Sequence, residues 1–273
     1  MSLPTPSSKS IAVVTGASSG IGEQIARQLS ARGHRVALVA RREDRLLRLA
    51  DELGGPGRAV SIRADLADSE DRDTLAARLD ELVTVEMLVN NAGMGVHVAF
   101  ANADRERELK QLRVNVGALV DLMGRYLPGM VERGRGAVIN IASIGGFQPL
   151  PYSAGYSASK GHVLLFSEAV NEEVKSAGVT VTAVCPGPVR TDFHEIYGSE
   201  FTKRYPQAAW VSAEQVAADA LAAADRGRRS VVPGGRLHKL VFGIPRSMPS
   251  SLTLLIAKRF LAPPKHTGPM NPA

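Results

Sequence analysis

The sequence predicts a single α/β domain: one doubly wound parallel sheet with helices on both faces, followed by an amphipathic C-terminal extension. Three observations lead there. Short apolar runs alternate with stretches of helical spacing from residue 10 to about residue 232, the β-α alternation of a parallel sheet with right-handed crossovers. The first apolar run opens directly into a glycine turn, Thr15-Gly16-Ala17-Ser18-Ser19-Gly20-Ile21-Gly22. Polar or glycine residues follow later runs, as at Asn90-Asn91-Ala92-Gly93, where an open α/β sheet keeps its ligand crevice.

In chain order, strands are expected at residues 10–14, 35–40, 59–62, 85–89, 137–141 and 179–184, with a short seventh at 230–232. Between them, apolar residues at 3.6-residue spacing predict helices over 23–32, 44–53, 69–82, 105–130 and 157–176. Gly54-Gly55-Pro56-Gly57 breaks the second of these. Residues 1–9 form a Pro/Ser-bearing flexible lead, residues 10–235 the domain, and residues 236–273 the extension. No solenoid-period repeat or low-complexity tract interrupts this order.

Composition fits a globular enzyme. At 273 residues the chain can bury a large core, and 44% hydrophobic with 22% charged residues is ordinary for a soluble domain. The net charge of +6 and pI of about 9.7 would suit nucleic acid, but the basic residues are scattered and aromatic content is only 5%. Nucleic-acid binding is therefore not expected. Cys185 is the single cysteine, so no internal disulfide forms; its apolar setting before Pro186 reads as a buried structural thiol. The lead lacks the apolar core of a signal peptide and no run reaches the ~20 apolar residues of a membrane span, which makes the cytoplasm the expected location. No metal site is expected.

A strand, a glycine turn and then a helix aim free backbone N–H groups at a phosphate. Gly16 can turn sharply, Gly20 lets the backbone approach a pyrophosphate, and Gly22 permits close helix–strand packing. The spacing is G-x-x-x-G-x-G rather than the standard G-x-G-x-x-G. After the second strand come Arg41 and Arg42, where an acid would bind a ribose 2′-hydroxyl and an arginine accommodates a 2′-phosphate. That favours NADP(H), with NAD(H) as the alternative.

The fifth strand delivers Ser143, a loop bearing glycine and proline follows, and Tyr156 and Lys160 then sit at i and i+4. On a helix that spacing places both side chains on one face. An ammonium near the phenol lowers its pKa from about 10, so the tyrosine can exchange a proton near neutral pH.

Together these elements resemble the short-chain dehydrogenase/reductase family, whose fold is Rossmann-like. The matches are the turn from Thr15 to Gly22, Asp65, Asn90-Asn91-Ala92-Gly93, Asn115, Ser143, Tyr156-x-x-x-Lys160 and Pro186-Gly187-Pro188-Val189-Arg190-Thr191, over about residues 10–195. The resemblance implies an oxidoreductase that interconverts a ketone and a secondary alcohol by hydride transfer. Tyr156 would exchange the proton, Lys160 would hold the nicotinamide ribose and depress the tyrosine pKa, and Ser143 would hydrogen-bond the carbonyl. Asn115 would support a water-linked proton path from Lys160. Ser18, Ser19 and Ile21 in the turn, Asp65 with Leu66 at the adenine, the Asn91, Ala92 and Gly93 backbone, and Pro186, Gly187, Val189 and Thr191 at the nicotinamide would complete the cofactor site. Family members pair through their long helices, which implies a homodimer or homotetramer.

Other features bear on the substrate. Phe147, Pro149, Leu150 and Pro151 would face it from the loop before Tyr156, and His97 is a lesser candidate for the same cleft. Residues 192–210, with Phe193, Ile196, Tyr197, Phe201, Tyr205 and Trp210, would form a lid. This apolar lining suits a bulky ketone such as a 3-oxoacyl or steroid-like molecule. In the extension, Leu252, Leu254, Leu255, Ile256, Phe260 and Leu261 are interspersed with Lys258 and Arg259. Such a basic amphipathic helix can lie on an anionic membrane, cover a neighbouring subunit or roof the substrate pocket. A cofactor-sensing regulator would keep the glycine turn but lose part of the Asn115, Ser143, Tyr156 and Lys160 set, and a membrane-associated cofactor-binding protein would depend on the tail.

Overall fold

The computed structural model describes residues 3–193, 205–235, 238 and 249–262. Its strands are β1 (Ser10–Thr15), β2 (Val36–Ala40), β3 (Ala59–Arg63), β4 (Thr84–Asn90), β5 (Gly136–Ile141), β6 (Val179–Val184) and β7 (Ser230–Val231). They pair in parallel in the order β3-β2-β1-β4-β5-β6-β7. The chain winds outward from β1 to β3, returns to the other side of β1, and winds outward again. The reversal falls between β1 and β4, where neighbouring connections leave in opposite directions and open a crevice.

Successive strand residues point to opposite faces, and here both faces are dry. Ile11, Val13, Val39, Leu88 and Val138 enter one apolar cluster, whereas Ala12, Val14, Leu38, Val89 and Ile139 enter the other. The first cluster is covered by α3 (Ser69–Leu82), α5 (Ala118–Glu132) and α6 (Ala154–Val174) through Leu79, Leu122 and Val163. The second is covered by α1 (Gly20–Ala31), α2 (Glu43–Glu52) and α7 (Ala213–Asp225) through Leu29, Leu46 and Leu221. Each such side chain stabilises the fold by about 1.5–3 kcal/mol relative to leaving it in water. Cys185 is 1% exposed, as its apolar setting implied.

Several elements depart from the sequence expectation. The predicted helix over 105–130 is divided: α4 (Arg105–Leu112) passes through one π-helical turn, Arg113–Gly117, into α5. An inserted residue of this kind widens the helix locally and re-aims a side chain, here that of Asn115. The helix over 157–176 starts earlier, at Ala154. The α7 helix was not foreseen, because its alanines give little periodic contrast; the signal lay in Ser212, whose hydroxyl accepts the Gln215 amide at 3.1 Å. Residues 3–9 lie along the domain, with the Leu3 amide donating to Asp225 Oδ1 at 3.0 Å. In the extension, α8 (Ser250–Leu261) buries Thr253, Ala257 and Leu261 and exposes Leu252, Leu255 and Ile256.

A buried polar chain ties the sheet to α6. The Asn90 amide donates to Asn140 Oδ1 at 2.9 Å, Asn140 Nδ2 donates to Ser167 Oγ at 2.8 Å, and Ser167 donates to the Val163 carbonyl. Asn140 is fully buried, so losing its side chain strands partners that water cannot reach. Asn140→Ala is expected to lower unfolding stability by about 1–3 kcal/mol in urea titrations; an unchanged midpoint would contradict this.

Candidate active site

The carboxyl end of β1 builds one wall of the crevice. Gly16 and Gly20 have φ of +65° and +60°, which an L side chain adopts only under strain. A Cβ on Gly16 would also lie 2.7 Å from Asn91 Nδ2, and one on Gly20 would lie 2.7 Å from the Thr191 methyl. Gly22 is different: its backbone is ordinary, but a Cβ would come within 2.5 Å of the Gly16 carbonyl. It is the packing glycine of the turn and lies in the first turn of α1, whose leading amides have no intrahelical partner.

Asn91 holds this wall from behind. Its Nδ2 donates to the Thr15 and Gly16 carbonyls at 2.9 and 3.2 Å. Thr15 completes the joint: its hydroxyl donates to the Val89 carbonyl at 3.1 Å and accepts the Asn91 and Ala92 amides at 2.9 and 3.0 Å. Thr15 was visible in the sequence as part of the turn, but its bridging role needed the fold.

The other walls come from β2 and β3. Arg42 donates to the Ser18 and Ser19 hydroxyls at 3.0 and 2.7 Å. Arg41 is exposed on the same side and acts on Asp65 through charge. Asp65 accepts the Lys110 ammonium at 2.9 Å and the Ala67 amide at 3.1 Å. Burial alone would raise its carboxyl; these hydrogen bonds and the charges of Lys110 and Arg41 outweigh that and hold it below the usual range. Nothing in the sequence pattern marked Lys110.

At the far end, α6 presents Tyr156 and Lys160 towards the loop after β5. Lys160 is 5% exposed, and its ammonium donates to the Ile141 carbonyl at 2.7 Å. Burial pulls its pKa down to about 8. A Cβ on Gly93 would lie 3.4 Å from Lys160 Nζ and 3.3 Å from Asn115 Oδ1, so these three meet at one spot. Asn115 is clamped there: it accepts the Met94 amide, donates to the Met94 carbonyl, each at 2.9 Å, and donates to Ser159 Oγ at 3.0 Å. Desolvation pushes the Tyr156 phenol above its ordinary value, while its hydrogen bond with Ser143 pulls the other way. Burial is the largest influence on this phenol.

These walls enclose one cleft of about 580 Å³. Gly16, Ser18, Ser19, Gly20 and Ile21 line its first wall, and Arg41, Arg42, Asp65 and Leu66 the second. Asn91, Ala92 and Gly93 form the floor; Ser143, Tyr156 and Lys160 lie at the inner end, with Pro186, Gly187, Val189 and Thr191 opposite. Gly22 and Asn115 stand behind the lining.

The substrate-side expectations divide. Leu150 lines the cleft, whereas Phe147 packs against the core between the sheet and α6. His97 is not part of the lining, and its Nδ1 lies 2.8 Å from Ser153 Oγ. Phe193 lies 5.9 Å from the Tyr156 ring, and Tyr205 lines the cleft while touching Phe260 of α8 at 5.3 Å. Burial pushes the Tyr205 phenol up to about 12. Ile196, Tyr197 and Phe201, expected in a lid, lie outside the described residues.

Lys160 has a pH signature. Unfolded, it releases its proton near 10.5, and in the fold near 8; between these values the unfolded chain binds more protons, so this site's contribution to stability rises with pH. Relative to Lys160→Met, the parent should gain roughly 3 kcal/mol across that window in urea titrations. A pH-independent difference would contradict the buried ammonium.

The short chain dehydrogenase family model matches residues 10–200. A very-long-chain 3-oxoacyl-CoA reductase from Bos taurus is 34% identical over 252 residues, covering 90% of this chain and 78% of that protein. Among solved structures, a short-chain dehydrogenase from Sphingobium yanoikuyae in complex with NADPH is 31% identical, with a TM-score of 0.75 over 89% of this chain and 97% of that one. An actinorhodin polyketide ketoreductase variant with NADPH is 33% identical, with a TM-score of 0.72 over 83% and 96%. A cleft joining a glycine turn to Tyr156, Lys160 and Ser143 thus sits on a chain whose sequence and sheet order match the same group of proteins: it belongs to the short-chain dehydrogenase/reductase family and is an oxidoreductase.

Proposed function

We propose that this oxidoreductase interconverts a ketone and a secondary alcohol with NADP(H), using Tyr156 as the acid–base group. The single cleft that connects the glycine turn and Arg41 to Ser143, Tyr156 and Lys160 carries the reading. Its first wall suits a dinucleotide phosphate, because strand, glycine turn and helix start present free backbone amides to an anion there. The arginines after β2 suit a 2′-phosphate, and the two NADPH-bound relatives support that preference. When bound, NADP(H) supplies or takes up the hydride.

The remaining work falls to the chain. Tyr156 gives its proton to the carbonyl oxygen during reduction. Ser143 donates to that oxygen and stabilises its developing charge. Lys160, anchored on Ile141, offers its remaining N–H bonds to the ribose hydroxyls, and Asn115 links it to a proton path. Thr191 orients the carboxamide. Leu150, Phe193 and Tyr205 along the cleft suit an apolar ketone, of which a 3-oxoacyl chain is the leading class given the bovine relative.

Tyr156→Phe should retain NADPH binding by fluorescence while ketone reduction falls by about 10²–10⁴-fold. With the parent, reduction should be flat across neutral pH, whereas alcohol oxidation, which needs the phenolate, should rise with pH. Equal or tighter NADH binding, or a preference for small polar sugars over apolar ketones, would overturn the reading.

Among the described residues no helix is long and apolar enough to cross a membrane. The exposed face of α8, with Leu252, Leu255 and Ile256 beside Lys258 and Arg259, favours peripheral contact with anionic lipid. The full chain should co-sediment with anionic but not neutral liposomes, and Leu255→Glu with Ile256→Glu should abolish this; equal recovery in both supernatants would exclude it.

A further inference from the structure

The mouth of the cleft contains an ion-pair cluster whose Arg45 and Asp192 have no part in the reading above. Arg42 is engaged on several sides. Besides Ser18 and Ser19, it donates through Nη1 to Asp192 Oδ2 at 2.9 Å. Arg45, in the first turn of α2, donates to the same oxygen at 2.6 Å. Asp192 arrives from the opposite side, next to Thr191, whose methyl group faces Gly20. Arg42 and Asp192 both line the cleft.

Two guanidinium groups converging on one carboxylate oxygen form an anion site already filled by the protein itself. A phosphate seeks the same forked, charge-assisted donors. Arg41, by contrast, is exposed and acts on its neighbour Asp65 only through charge, so it can meet an incoming phosphate without giving up a partner.

We propose that Asp192 is an internal counter-anion that competes with the cofactor's 2′-phosphate for Arg42 and Arg45, and so limits how strongly the protein discriminates NADPH from NADH. This rests on the NADP(H) reading above. Arg41 sets the direction of the preference, and Asp192 sets its size. Removing the Asp192 charge while keeping its shape releases both guanidinium groups and removes a like charge from the phosphate's surroundings. Arg42 and Asp192 side chains are 41% and 39% exposed, so the effect is modest and screened by salt.

The test is fluorescence titration of NADPH and NADH against the parent, Asp192→Asn and Asp192→Glu, at low and at moderate salt. Asp192→Asn should tighten NADPH by about fivefold and leave NADH nearly unchanged, with the gain shrinking as salt rises. Asp192→Glu should return the ratio to that of the parent. An unchanged NADPH-to-NADH ratio in Asp192→Asn would overturn the proposal, and so would equal weakening of both cofactors, which would make Asp192 a brace for the cleft mouth. A parent that binds NADH as tightly as NADPH would overturn the cofactor reading itself, and this inference with it.

Discussion

At the reversal point of the sheet, the Thr15 hydroxyl donates to the end of β4 and accepts two amides of the segment that follows it. Asn91 returns the contact by holding the Thr15 and Gly16 carbonyls. The two strands whose outgoing connections part to open the crevice are thereby pinned together at its base. Gly16 can pass so close to Asn91 only because it lacks a Cβ, and Gly22 fits against the Gly16 carbonyl for the same reason. The position of α1, and hence of every amide facing the crevice, follows from this joint.

The inner end of the cleft depends on a different economy of polar groups. A buried ammonium is costly unless it finds acceptors, and Lys160 finds the Ile141 carbonyl at the end of β5. Its neighbour Asn115 reaches the same spot because the helix opens into a π turn, and the widened turn is held by the Met94 backbone and Ser159. The β4 loop, the α4–α5 turn and α6 are thus coupled through one asparagine. A straight helix through residues 113–117 would present a different side chain here.

The cleft mouth is joined to distant parts of the chain. Asp192 ties the segment after β6 to α2 through Arg42 and Arg45, while Tyr205 ties the cleft wall to α8 through Phe260. The extension is therefore connected to the cleft by an aromatic contact on one side and leaves apolar residues exposed on the other. Of the three uses foreseen for such a tail, roofing the pocket gains that direct contact.

The layout was legible before any folding: strand order in the chain, the glycine turn, the arginines after β2 and the Tyr156 and Lys160 pair are local patterns whose spacing carries the information. Strands buried on both faces are near-continuous apolar runs, so they were legible, whereas the alanine-rich α7 and the π turn at Asn115 were not, since neither changes the local periodicity enough. Partners brought together from far apart were decided only by the tertiary structure. Lys110 on Asp65, Asp192 on Arg42 and Phe147 in the core depend on which segments meet across the sheet. The same holds for the desolvation that raises the Tyr156 phenol, because burial acts through the whole surrounding protein and not through one neighbour in the sequence.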